Sequence, residues 1–95
     1  MITNNQLIKL KDRGGASIAK ARELLLGMAG KIGLLRDLQV EADIRHGAAS
    51  YDLLMIARYD SLADLEAYIT DPVHREVAQQ LGTMIESSAV VCYET

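Results

Sequence analysis

Two residues of this chain have side chains suited to proton chemistry and sit close in sequence: Tyr68 and His74. An imidazole with a pKa of about 6.5 can be unprotonated at neutral pH, and a phenol with a pKa of about 10 remains a donor. They flank Asp71-Pro72, a helix-restarting dipeptide, and the change of direction there can turn both toward a common cavity. The plainer alternative is structural. A histidine in the first turn after a proline can serve packing or interface hydrogen bonds, and Tyr68 can be a core aromatic with its hydroxyl reaching solvent or backbone. Asn4 and Gln6 share one side of the first segment. Neither amide is a base at neutral pH, but each can hold a carbonyl or a water, so both are candidate ligand-binding residues.

Other chemistry-bearing residues rank lower. Asp43, Arg45 and His46 form a polar loop that reads as solvated surface. His46 and His74 are far apart and neither has a ligand-type partner at i+3 or i+4, so no metal site is expected. The single cysteine, Cys92, lies in a β-branched run and reads as a small buried hydrophobe. Tyr51, Tyr59 and Tyr93 fall at strand ends, where half-buried tyrosines are usual. Gly27, Gly30 and Gly33 end a helix instead of opening one, so they are no phosphate loop. The chain has no Phe and no Trp, which argues against a haem or flavin pocket and against base-stacking platforms. No cofactor is expected.

The elements that must position these residues follow from periodicity. Thr3 to Lys11 alternates as a strand, with Asn4, Gln6, Ile8 and Leu10 on one side and Asn5, Leu7 and Lys9 on the other. Ile18, Ala21, Leu25, Met28 and Ile32 predict one apolar stripe of a helix, with Ser17 as N-cap and Gly30 or Gly33 as its end. Leu34–Asp43 and Tyr51–Tyr59 read as strands, the second apolar on both faces. Ser61 caps a short helix with Leu62, Leu65 and Ile69 as its buried stripe, and Asp64 stands in the capping-box position. Asp71 and Pro72 start a third helix, with Val73, Val77, Leu81 and Ile85 on one face. Ser88 to Tyr93 closes the chain as a strand.

The order is β-α-β-β-α-β, the second helical region broken in two. That predicts an α+β, ferredoxin-like fold with a four-stranded antiparallel sheet and its helices on one face. Strands one, three and four carry apolar residues on both sides. The helix-free face should therefore be buried, and a second copy of the chain is the simplest cover. Two sheets face to face would make a dimeric barrel with a central cavity.

Ninety-five residues read as one domain, 1–95, whose limited burial an association would extend. A net charge of −3 with interspersed basic residues gives no footprint for nucleic acid. One cysteine allows no internal disulfide. The polar N-terminus does not read as a signal peptide, and no apolar run approaches the about 20 residues of a membrane span. A cytoplasmic protein without membrane attachment is the expectation.

Four segments carry a resemblance: Leu7-Ile8-Lys9-Leu10-Lys11-Asp12, Tyr51-Asp52-Leu53-Leu54, Tyr59 to Tyr68 followed by Asp71-Pro72-Val73-His74, and Val90-Val91-Cys92-Tyr93-Glu94. In this order, over residues 3 to 94, they resemble the stress-responsive dimeric α/β-barrel (Dabb) domain family. The resemblance implies a small homodimeric barrel of unassigned activity, binding a small organic ligand in the barrel. Some members are stress-induced in plants, and one cyclises a linear polyketide. In that member a tyrosine and a histidine at this spacing act together. The resemblance thus implies His74 as general base and Tyr68 as carbonyl polariser in the alternative reading, a cofactor-independent cyclase, lyase or isomerase. This chain departs from many relatives in carrying Asn4 where they have histidine, and Asp71 where the residue before the proline is often histidine. A small cofactor-free monooxygenase is disfavoured by an aromatic content of 4% and the lack of a motif for it. Whether the chain is an enzyme stays open at this level.

Overall fold

The computed structural model describes residues 1–95. Strand β1 (Ile2–Leu10) is followed by helix α1 (Gly15–Leu26), strands β2 (Asp37–Ala42) and β3 (Leu53–Tyr59), helices α2 (Leu62–Ile69) and α3 (Pro72–Gly82), and strand β4 (Ile85–Glu94). The strands form one antiparallel sheet in the order β2-β3-β1-β4. This is the ferredoxin-like arrangement that the element order implies.

Register decides which residues face the helices. Ile2 pairs with Tyr59, Asn4 with Ala57, Gln6 with Met55 and Ile8 with Leu53. Because side chains alternate along a strand, these pairs share one face. It is the helix face: Ile8, Ala57 and Tyr59 are wholly buried, and Ile2, Leu53 and Met55 nearly so. The opposite face carries Leu7, Leu54 and Ile56 at its centre, with Ala89, Val91 and Tyr93 beside them on β4. Leu7, Val91 and Tyr93 are exposed. An apolar centre open on one side of the sheet is what the alternation in β1, β3 and β4 predicts.

Several local expectations shift. The N-cap of helix α1 is Gly14, not Ser17, and Gly14 offers no side-chain cap. Asp12 does the capping of the turn instead, accepting from the Gly14 amide at 2.9 Å and from the Ser17 hydroxyl at 2.7 Å. Those donors, the Gly14 amide foremost, hold its carboxyl below its ordinary range. The helix ends at Leu26, before Gly30, which takes a left-handed φ of 77° in the turns that follow. Met28 and Ile32 stay buried all the same. The apolar spacing thus marks the core correctly but overruns the helix.

The stripe expected on α2 is not a buried stripe. Leu62 and Ile69 are exposed, and Tyr68 is the residue of that helix that the core encloses. Ser61 does cap α2, its hydroxyl accepting from the Asp64 amide at 3.1 Å, and Asp71 caps α3 by accepting from the Val73 amide at 2.8 Å. Ile85 belongs to β4 and not to α3. Cys92, read as buried, is exposed, because β4 is an edge strand whose outer length is uncovered on both faces.

Candidate active site

Tyr68 lies in the last turn of α2 and His74 in the first turn of α3. The break between them is made by local chemistry. Pro72 has no amide hydrogen and fits the first helical position, and Asp71 caps the new helix. The last carbonyls of a helix have no partner within it. One of these, the carbonyl of Ile69, is met by His74 Nδ1 at 2.9 Å. A carbonyl only accepts, so the proton of a neutral imidazole sits on Nδ1, and Nε2 keeps its lone pair. The same contact fixes the ring plane. His74 is therefore a strut across the helix break on one side, and on the other its Nε2 makes no hydrogen bond within the chain.

The Tyr68 ring packs on that imidazole, with centroids 4.5 Å apart and planes tilted by 50°. On its other side stands Tyr59, at 5.0 Å and 55°. The Tyr68 hydroxyl donates to Met28 Sδ at 3.6 Å, and a thioether is a weak acceptor. The Tyr59 hydroxyl is buried and has no hydrogen-bond partner in the chain. Burial pushes both phenols above their ordinary value. Tyr68 raises Tyr59 further, whereas the Tyr59 hydroxyl pulls Tyr68 back. The two phenols thus sense each other without closing an aligned hydrogen bond. Both remain neutral donors through the physiological range.

Tyr68 and His74 line one cavity of about 120 Å³. Its walls are largely apolar, with Leu25, Met28, Met55 and Leu81 prominent, and Gln6 is the other polar residue on it. Neither amide of Asn4 or Gln6 makes a hydrogen bond within the chain (the side-chain contacts of β1 are made by Thr3 and Lys9). Gln6 thus stands where the sequence expects a polar lining residue. Asn4 is half-buried one pair further along the same face and does not line the cavity.

The location corrects one expectation. The cavity lies between the sheet and its own helices, not in the space between two facing sheets. Position parity explains this: Gln6 shares its side with Ile8 and Leu10, which the helices cover. A roomier cleft of about 410 Å³ between α1 and α3 is lined by Lys20, Glu23, Lys31 and Glu76 among others. It is open and charged, and it brings together no acid–base pair.

Two buried residues went unrecognised. Tyr59, a strand-end tyrosine expected to be half-buried, is 0% exposed. Asp52, also 0% exposed, accepts from the Leu10 amide at 2.8 Å and from Arg13 Nε at 2.9 Å. Arg13 Nη2 also donates to the Ser50 carbonyl at 2.8 Å. The Asp43–His46 loop is exposed; there the His46 amide donates to Asp43 at 2.6 Å and, as the main cause, holds that carboxyl below its ordinary range.

The sequence profile of the stress responsive A/B barrel domain matches residues 3–95. The chain belongs to that family. Among solved structures, this stress responsive A/B barrel domain is similar to a dimeric ferredoxin-like protein of unknown function from Bacteroides fragilis. That pair is 24% identical over 99% of this chain and 95% of the other, with a TM-score of 0.85. A dimeric ferredoxin-like protein of unknown function from Thermobifida fusca gives 21% identity, 99% and 90% coverage and a TM-score of 0.85. The hydroxynitrile lyase of Passiflora edulis gives 13% identity, 97% and 90% coverage and a TM-score of 0.82. At these identities the likeness is one of fold. No curated protein matches the sequence. No helix of the A/B barrel domain is long and apolar enough to cross a membrane.

Proposed function

We propose that this A/B barrel domain binds a small carbonyl compound in the cavity beneath its helices and moves a proton on it. His74 Nε2 removes a hydrogen from the carbon next to the carbonyl. The electron pair moves onto the carbonyl oxygen, and the Tyr68 hydroxyl donates a hydrogen bond to that oxygen. Gln6 is placed to hold a second polar group of the ligand. The observation that carries this reading is the shared cavity: a phenol held only by a thioether, and an imidazole whose Nδ1 is anchored so that Nε2 is free. A ligand no larger than a six-membered ring suits the volume, since a cavity of about 150 Å³ accepts benzene.

Cyclohexanone in D₂O tests this directly. The protein should speed exchange of the α-hydrogens, read by NMR, and His74→Ala should lower that rate by roughly 10²–10⁴-fold. Its unfolding free energy should fall by about 1–2 kcal/mol, the worth of one hydrogen bond and one ring contact, which leaves the chain folded. Exchange no faster than in buffer, or equal in wild type and His74→Ala, defeats the acid–base reading.

The domain also acts as a homodimer in this proposal, two copies closing their helix-free sheet faces on each other. The open apolar centre of Leu7, Leu54, Ile56 and Val91 supports it, as do the dimeric proteins of like fold. Val91→Glu places a charge in that face, and sedimentation should show the dimer of the wild type giving way to monomer. A wild-type monomer at micromolar concentration would overturn it.

A further inference from the structure

The aromatic stack beneath α2 contains a hydroxyl that the acid–base reading leaves unused. Tyr59 ends β3 on the helix face and is wholly buried. Its hydroxyl is the buried side-chain polar atom of this chain that finds no partner. A phenylalanine would fill the same volume without taking a polar atom out of water. The hydroxyl therefore has a hydrogen bond to give when the site changes state. Its neighbour is Tyr68, at 5.0 Å between ring centroids. The Tyr68 oxygen accepts no hydrogen bond here, and its own proton rests on the Met28 sulfur, an acceptor that a ligand carbonyl easily displaces.

We propose that Tyr59 is a positioning residue for Tyr68: when Tyr68 turns its proton from the Met28 sulfur to a bound carbonyl oxygen, the Tyr59 hydroxyl donates to the Tyr68 oxygen. This rests on the reading of the site given above. In the resulting chain Tyr59 donates to Tyr68 and Tyr68 donates to the ligand oxygen, so the Tyr68 oxygen alone both accepts and donates. No proton passes between the phenols. The carbon-bound proton still goes to His74 and its electron pair to the ligand oxygen. Successive hydrogen bonds polarise one another, so the far hydroxyl strengthens the near one as charge gathers on the ligand. The Tyr59 hydroxyl already lies near enough for its O–H to ease ionisation of Tyr68 by hydrogen bonding, against the larger effect of burial.

The test reads the carbonyl stretch of bound cyclohexanone by infrared difference spectroscopy, in wild type, Tyr59→Phe and Tyr68→Phe. Donation by Tyr68 lowers the frequency, and Tyr68→Phe should abolish that downshift. Tyr59→Phe should bind the ketone and lose about 10–30% of the downshift, the share that one cooperative bond adds. Its thermal midpoint should equal or exceed that of wild type, because an unpartnered polar atom has been removed. A full downshift in Tyr59→Phe, with Tyr68→Phe still deficient, overturns the relay and leaves the site reading standing. A downshift that survives Tyr68→Phe, or no saturable binding to wild type, overturns both. A Tyr59→Phe protein that melts well below wild type shows a structural partner for the hydroxyl and also overturns the relay.

Discussion

Strand β3 has a buried polar residue at each end, and the two ends are satisfied very differently. Just before its first residue, Asp52 has one carboxylate oxygen on the Leu10 amide and the other on Arg13. Its own amide donates to the Ile8 carbonyl at 2.8 Å, and its carbonyl accepts from the Asp43 amide at 2.9 Å. At the last residue of the strand, Tyr59 is equally buried and its hydroxyl has no partner. Next to it Tyr68 has only a sulfur, and His74 uses one ring nitrogen of two. Burial alone does not separate a structural polar cluster from the proposed site. Unspent hydrogen-bonding capacity beside a cavity is what supports the proposal at this end, because a folded core otherwise pairs its buried polar atoms.

The largest break in this comparison is expected at the satisfied end. Arg13→Ala removes the only cation on Asp52 and leaves a carboxylate in the core. Removing one partner of a buried pair typically costs 3–5 kcal/mol. The Arg13 side chain is 33% exposed, so water can reach the space it vacates, and a loss near the lower bound, about 3 kcal/mol, is expected. Urea unfolding measures it. A loss under about 1 kcal/mol would place this end in the same class as the other and remove the contrast.

The contrast also shows what could be read from the residues alone. Strand and helix order was legible because each element buries one side, and burial imposes a period of 2 or 3.6 on the apolar residues. The side of the sheet that receives the helices was not. In β1 both parities mix apolar and polar residues, Leu7 against Ile8 and Leu10, Asn5 against Asn4 and Gln6. Parity therefore could not say which side held the cavity. The stripe on α2 misled for a related reason: Leu62 and Ile69 have the spacing of core residues, but the helix rests on the sheet through Tyr68. Tyr68 and His74 carry proton chemistry in their side chains, and the resemblance supplies the spacing that pairs them. The Asp52 contact joins residues about 40 positions apart through a backbone amide, and no local pattern encodes such a bond. Tyr59 differs from an ordinary strand-end tyrosine only in being covered, which depends on how α2 packs.

A finer test separates the two ends by alkaline titration. Burial is the main reason that Tyr59 and Tyr68 both ionise above the ordinary value of 10.0. For a phenol the neutral form is the protonated one, so folded and unfolded chains bind the same protons below pH 10 and these groups add no slope there. Above pH 10 the unfolded chain loses its phenolic protons first, and stability must fall as pH rises toward the folded values. A phenol held neutral contributes about 1.4 kcal/mol per pH unit between its unfolded and its folded value. Unfolding measured from pH 9 to 11.5 should therefore show a decline beginning near pH 10. Tyr59→Phe should make that decline shallower, and Arg13→Ala should lower the whole curve without changing its shape in that window. If Tyr59→Phe leaves the alkaline slope intact, the Tyr59 phenol meets water in the folded chain, and the two ends of β3 no longer differ in the way described.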